Sequence, residues 1–143
     1  LLLVTLGKNT YHWSNLSYIE YIKNSINFIP FKTIYTYIQS AVNNTMNISI
    51  ILQNIIFPII LFVPMGILSL INENHFKKTT HIVCCSLAIS TVIEVLQLVL
   101  RRGVFDIDDI LLNLLGTVLG IVIFSLIKNI IFSIKKNSGA INI

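Results

Sequence analysis

The sequence predicts an all-α, polytopic membrane helical bundle with three full transmembrane helices, a truncated N-terminal one and amphipathic helices at the interface. Three observations predict it. Hydrophobic residues make up 55% of the chain and charged ones 11%, whereas soluble domains carry about a quarter charged. Apolar runs of the length that crosses a bilayer recur three times. The polar-aromatic stretch ahead of them keeps a helical period, which a plain loop would not. A length of 143 residues fits one domain, 1–143.

The chain opens on "LLLVTLGKNT", without the basic flank that a signal peptide places ahead of its apolar residues. Residues 1–6 are therefore read as the tail of a transmembrane helix. Residues 11–44 follow as an interfacial segment. Leu16, Ile19, Ile22 and Ile26 recur at helical spacing, as do Ile34, Ile38 and Val42, with Pro30 between the two sets. Tyr11, Trp13, Tyr18, Tyr21, Phe28, Phe31, Tyr35 and Tyr37 enrich it in rings that favour the headgroup level. Two short amphipathic helices joined at "NFIPF" are expected.

A span needs about 20 apolar residues, because about 30 Å of hydrocarbon is crossed at 1.5 Å per residue. Residues 48–71 qualify, and Pro58 and Pro64 within them predict a kinked or partly unwound helix. Residues 79–100 qualify next and are stopped by Arg101 and Arg102. Adjacent Cys84 and Cys85 read as small buried apolar residues rather than redox or metal groups. Residues 110–127 form the third span. Its Gly116 and Gly120 have the small-xxx-small spacing of a close helix packing face, or of a contact between two copies of the chain.

Orientation rests on the basic residues flanking the spans. Lys77, Lys78, Lys128, Lys135 and Lys136 lie in short flanks on one side; Lys8, Lys23, Lys32, Arg101 and Arg102 lie on the other, mostly spread over the long segment. Short flanks weigh most, so the Lys77 turn and the C-terminus are expected inside. The interfacial segment and the turn from Arg101 to Asp109 then face outward. The net charge of +4 is scattered, without the basic patch that nucleic acid requires.

The densest polar set falls at the outer ends of the last two spans. Glu94 lies two turns before Arg101 inside an apolar run, and an intramembrane carboxylate costs at least ~2.5 kcal/mol unless paired or wet. Gln97 and Arg101 follow at i+3 and i+7, so the three share a face with Ser90 one turn below. Asn113 in the next helix is expected at the depth of Glu94 or Gln97, with a hydrogen bond between the helices. In "FDIDD", Asp106 or Asp108 can cap the following helix and Asp109 sits in its first turn, where the helix dipole favours an anion. Three aspartates within four residues exceed what one cap requires.

Several chemistries use such a set. Glu94 with Asp106 or Asp109 would form a carboxylate pair for acid and base work. A divalent cation would meet oxygens, but the run lacks the turn glycine and distal glutamate of a calcium loop. There is no nucleophile elbow, zinc-binding HExxH or phosphate-binding loop, so neither a metal nor a cofactor is implied. His12, His75 and His81 lie away from the acids and read as interfacial residues.

These motifs together resemble the VanZ-like family of bacterial membrane proteins over nearly the whole chain. "IEVLQLVL", "VFDIDDILLN" and "LLGTVLG" carry the resemblance through Glu94, Gln97, Asp106, Asp108, Asp109, Asn113, Gly116 and Gly120, joined by Asn27 and Pro30 of "NFIPFKTI" and Pro64 and Gly66 of "ILFVPMGILSL". One departure is that Gly103 in "RRGVFD" stands where the family pattern has an arginine, with Arg102 one residue away. The resemblance implies a location in the bacterial cell membrane and an association with teicoplanin-type glycopeptide resistance, without supplying a reaction. The leading expectation is a cell-envelope binding protein. Its site comprises Asn27, Pro30, Glu94, Gln97, Arg101, Arg102, Asp106, Asp108, Asp109 and Asn113, and its partners are membrane lipids and a lipid-linked envelope precursor or glycopeptide. Intramembrane acid/base catalysis on such a precursor and proton-coupled transport are the alternatives.

Overall fold

The computed structural model describes residues 17–68 and 75–139. The expected span at residues 1–6, His12 and the first residues of the interfacial segment lie outside them. Helix α1 (Tyr18–Asn24) begins where the Glu20 carboxylate reaches back to the Ser17 N–H at 3.1 Å. It stops sooner than the apolar period suggests. Ile26 leaves the helix, and strand β1 (Ile26–Asn27) pairs in parallel with strand β2 (Phe105–Asp106), Ile26 against Phe105 and Asn27 against Asp106. The Phe28 and Phe105 rings pack at 5.3 Å beside this pairing.

Helix α2 (Lys32–Val42) follows a turn through Pro30 and Phe31, so two short helices joined at "NFIPF" are present as expected. Asn44, at φ 52°, closes α2: its N–H reaches the Ala41 carbonyl and that of Thr45 reaches Ser40, the paired bonds of a Schellman stop. The Asn47 side chain then accepts from the Ser49 N–H and caps helix α3 (Ile48–Leu68). At 1.5 Å per residue α3 is about 31 Å long, the thickness of the hydrocarbon layer. It is one uninterrupted helix through Pro58 and Pro64, not an unwound one.

Helix α4 (His75–Val99) returns, and helix α5 (Ile107–Gly139) crosses again. α5 starts three residues earlier than expected because Asp106 caps it, and it continues beyond the apolar run. The apolar stretches of α3, α4 and α5 are each long enough to cross a membrane: Ile48–Leu68, Thr79–Val99 and Ile107–Ile131. Pairings between helices give their directions. Ser86 meets Thr117 and Ser90 meets Asn113, so α4 and α5 are antiparallel. Gly116 lies against Ile59 and Gly120 against Val63, so α3 and α5 run parallel.

Side chains are sorted in the sense opposite to that of a soluble domain. Ser86, Ser90, Glu94, Gln97, Asp108, Asn113 and Thr117 are fully buried, whereas Leu52, Ile56, Ile60, Val92, Leu96, Val122 and Leu126 are exposed. Water would penalise that arrangement and lipid rewards it, since apolar side chains lose nothing in hydrocarbon and polar ones must find partners inside. Cys84 and Cys85 also face outward, correcting the expectation that they are buried.

The glycines explain how closely α3 and α5 approach. A methyl group at Gly66 would lie 2.0 Å from the Thr117 carbonyl oxygen, at Gly116 2.2 Å from that of Ile59, and at Gly120 2.1 Å from that of Val63. Backbone touches backbone along this line, where Cα–H groups meet carbonyls. The small-residue face is occupied by α3 of the same chain.

Candidate functional site

The acidic turn is where the interfacial segment is fastened to the bundle. Asp106 precedes α5 and accepts the Asp108 N–H at 3.0 Å, which makes it the helix cap. Its carboxylate also accepts from the Thr33 hydroxyl and, at 3.1 Å, from the Asn27 amide. Asn27 donates in turn to Thr33 at 3.0 Å and takes the Ile29 N–H. Asn27, Thr33 and Asp106 thus form a closed ring of side chains beside the β1–β2 pair.

Asp108 caps a helix too, but not its own. It accepts the N–H groups of Phe31 at 2.6 Å, Thr33 at 2.8 Å and Ile34 at 3.2 Å. These are the free donors at the start of α2, which has no side-chain cap of its own. The turn is shaped for this. Phe31 stands at φ 64°, ψ 2°, the values of the third residue of a type II turn with Pro30 before it. That left-handed residue makes neighbouring N–H groups converge on one anion, as in an anion-binding nest. The side-chain ring and the nest account for two of the three aspartates.

Beneath this fastening lie groups that local structure does not use. Glu94 is fully buried, and one of its oxygens accepts the Asp106 N–H at 3.1 Å while the other, Oε1, has no hydrogen-bond partner. Among the described residues the charges close enough to act on it, Asp109 and Asp106, are both acidic. Gln97, one turn above, is buried with Nε2 unpartnered and its side chain held against Gly103, where a methyl group would come within 3.0 Å of Gln97 Oε1. Asn113 makes the expected hydrogen bond between helices, but to Ser90 Oγ at 2.7 Å rather than to Glu94 or Gln97, and its Oδ1 is unpartnered. One turn deeper, Ser86 and Thr117 bond at 2.6 Å.

Arg101 departs from the expected face. α4 ends at Val99, the Arg102 N–H returns to the Gln97 carbonyl at 2.8 Å, and that of Arg101 returns to Leu98 at 3.2 Å. This is again a Schellman stop, with Arg101 at φ 52° in the place usually filled by glycine. A side chain there cannot continue the line of Glu94 and Gln97. Its guanidinium lies over the Tyr18 ring at 4.9 Å and near that of Tyr21 at 5.6 Å. Such cation–π contacts are worth ~1 kcal/mol, comparable to the backbone penalty of roughly 1 kcal/mol for a non-glycine residue there. Arg102 is exposed.

Tyr21 seals this corner. It is fully buried, and its hydroxyl donates to the Gly103 carbonyl. Burial holds its phenol above the ordinary value of 10.0. Stability from Tyr21 is therefore complete below pH 10 and is lost as pH rises through the folded-state value. Replacing Tyr21 by Phe should cost about 1 kcal/mol at neutral pH and make unfolding less sensitive to alkali. Thermal unfolding of both proteins across pH 8–11 checks this.

The fold thus brings Asn27, Glu94, Gln97, Asp106, Asp108, Asp109 and Asn113 to one end of the bundle, with Pro30 shaping the turn above them. Arg101 is turned aside onto the tyrosines. Thr33 was not singled out by sequence, although it bonds three of these residues; a threonine at the second position of a short helix carries no distinctive pattern. By sequence Tyr21 reads as one more interfacial aromatic, because nothing in its spacing marks a partner 82 positions away. Among the described residues no set of three His, Cys, Asp or Glu side chains is arranged to hold a metal ion.

No curated protein and no solved structure matches the chain. The family model described as VanZ/LLP1 matches residues 1–128. Its match over most of the chain, together with the three membrane-length helices, shows that this membrane protein belongs to the VanZ/LLP1 family.

Proposed function

We propose that the chain is a bacterial cell-envelope protein that binds an envelope ligand at the outer ends of α4 and α5, and that this binding underlies an association with teicoplanin-type glycopeptide resistance. The observation that carries the reading is that three of the buried polar atoms without partners lie together on α4 and α5: Glu94 Oε1, Gln97 Nε2 and Asn113 Oδ1. Native interiors satisfy nearly all such atoms, and each one left bare costs about 1–3 kcal/mol. A ligand that supplies the missing partners recovers that energy on binding.

In this reading the residues divide by task. Glu94, Gln97 and Asn113 meet the ligand, with Asp109 beside them. Asn27, Pro30, Asp106 and Asp108 hold the cover in place. Arg101 and Arg102 stand at the rim, where anionic groups of an envelope precursor would pass. The resistance association comes from family membership, and the outward orientation from the basic flanks.

Glu94→Gln keeps the side-chain volume and removes the carboxyl group. In a glycopeptide-sensitised bacterial host, the variant should be present in the membrane at wild-type abundance and should return teicoplanin susceptibility to that of a host lacking the protein. Unchanged susceptibility at equal abundance would refute the reading.

A further inference from the structure

The unpartnered atoms differ in kind, and their chemistry narrows the ligand. Glu94 Oε1 and Asn113 Oδ1 are acceptors, both on fully buried residues of facing helices. Asn113 bonds Ser90, and Ser90 lies one turn before Glu94 on the same face of α4, so both acceptors belong to one buried polar layer between α4 and α5. A primary ammonium carries three N–H donors, enough to serve both acceptors with charge-assisted bonds. Among the described residues the charges acting on Glu94 are acidic, and one of them, Asp109, is half-buried. A buried, acidic pair of acceptors calls for a compact cation that donates hydrogen bonds.

We propose that the site takes a primary ammonium group, held between Glu94 Oε1 and Asn113 Oδ1 and entering past Asp109. This rests on the ligand-binding reading above and names its chemical class. A metal ion fits less well, because no three ligating side chains converge among the described residues. A quaternary ammonium fits less well too. It has no N–H to give and is normally held by an aromatic cage, whereas Tyr18 and Tyr21 at this end are stacked on Arg101.

A primary ammonium can arrive on a lipid headgroup or on a soluble amine, and the test separates these sources. The full chain is purified and its retained lipid weighed by native mass spectrometry after exchange into phosphatidylethanolamine or phosphatidylcholine of identical acyl chains. Parallel samples hold free ethanolamine or choline. The wild-type protein should retain phosphatidylethanolamine at least about tenfold over phosphatidylcholine, the effect of one charge-assisted hydrogen bond. Glu94→Gln should retain the two equally.

Displacement by ethanolamine but not choline would support a site that accepts any primary amine. Phosphatidylethanolamine preference without such displacement would support a site that needs the amine anchored in the membrane. Equal retention of both lipids by the wild-type protein overturns the ammonium assignment, and this comparison does not depend on any variant folding. If that equal retention is lost in Glu94→Gln, ligand binding stands and only its class is wrong. If wild type retains neither lipid, neither free amine binds and Glu94→Gln leaves susceptibility unchanged, both readings fail.

Discussion

Asp108→Ala is expected to release the segment from Ile26 to Ile34 from the bundle while leaving the three spanning helices intact. One carboxylate takes the N–H groups of Phe31, Thr33 and Ile34, all at the start of α2. Removing it strands three donors in a part-buried turn and leaves Phe31 in a left-handed conformation without the anion that organises it. Hydrogen bonds to a charged acceptor are worth about 1.5–3 kcal/mol each and do not add fully, so a loss of ~4 kcal/mol is expected. Amide hydrogen exchange should report it, with protection lost over residues 26–42 and kept in α3 and α5. Asp108→Asn, which keeps one acceptor oxygen, should fall between the two. Uniform loss of protection across the whole chain would mean that Asp108 supports the bundle rather than the cover.

Gly66→Ala should have the opposite footprint. Its methyl group would sit 2.0 Å from the Thr117 carbonyl oxygen, 2.8 Å from the Ile121 nitrogen and 2.9 Å from the Gly120 Cα, all backbone atoms that cannot rotate aside. The two helices must separate, and overpacking of this kind costs ~3 kcal/mol or more. Denaturation of the purified protein in increasing fractions of dodecyl sulfate should show an earlier midpoint, with the α3–α5 contact opening first. Ala at the exposed Leu68 is the matched control and should leave the midpoint unchanged.

How far these features were legible in the sequence follows from what each depends on. The spans were, because their signal is composition over about 20 residues and needs no knowledge of neighbours. The two interfacial helices showed in the period of their apolar residues. The end of α1 did not, because Ile26 is withdrawn from the helical period by a strand partner from residues 105–106. Asp108 is similar: its spacing marks it as a cap, but which helix it caps is decided by tertiary structure. Arg101 falls on the Glu94 face only if α4 continues, and the helix stops two residues before it, at Val99. The glycine that usually marks such a stop is at 103, where it makes room for Gln97. Sequence spacing points Asn113 to the right helix but not to the right turn, a difference of about 5.4 Å along the axis.

The fastening between Phe31 and Asp108 joins groups 77 positions apart. During synthesis at about 5–20 residues per second, the interfacial segment emerges roughly 4–15 s before the aspartates that secure it. Through that interval α3 and α4 must already be crossing the bilayer while the residues that will cover them have no anchor. Phe28, Ile29, Phe31, Tyr35 and Ile38, which remain exposed in the finished fold, give the waiting segment an attachment to the lipid surface. Assembly therefore ends with a piece made before the three spans, and the polar groups beneath it stay open until the start of α5 arrives.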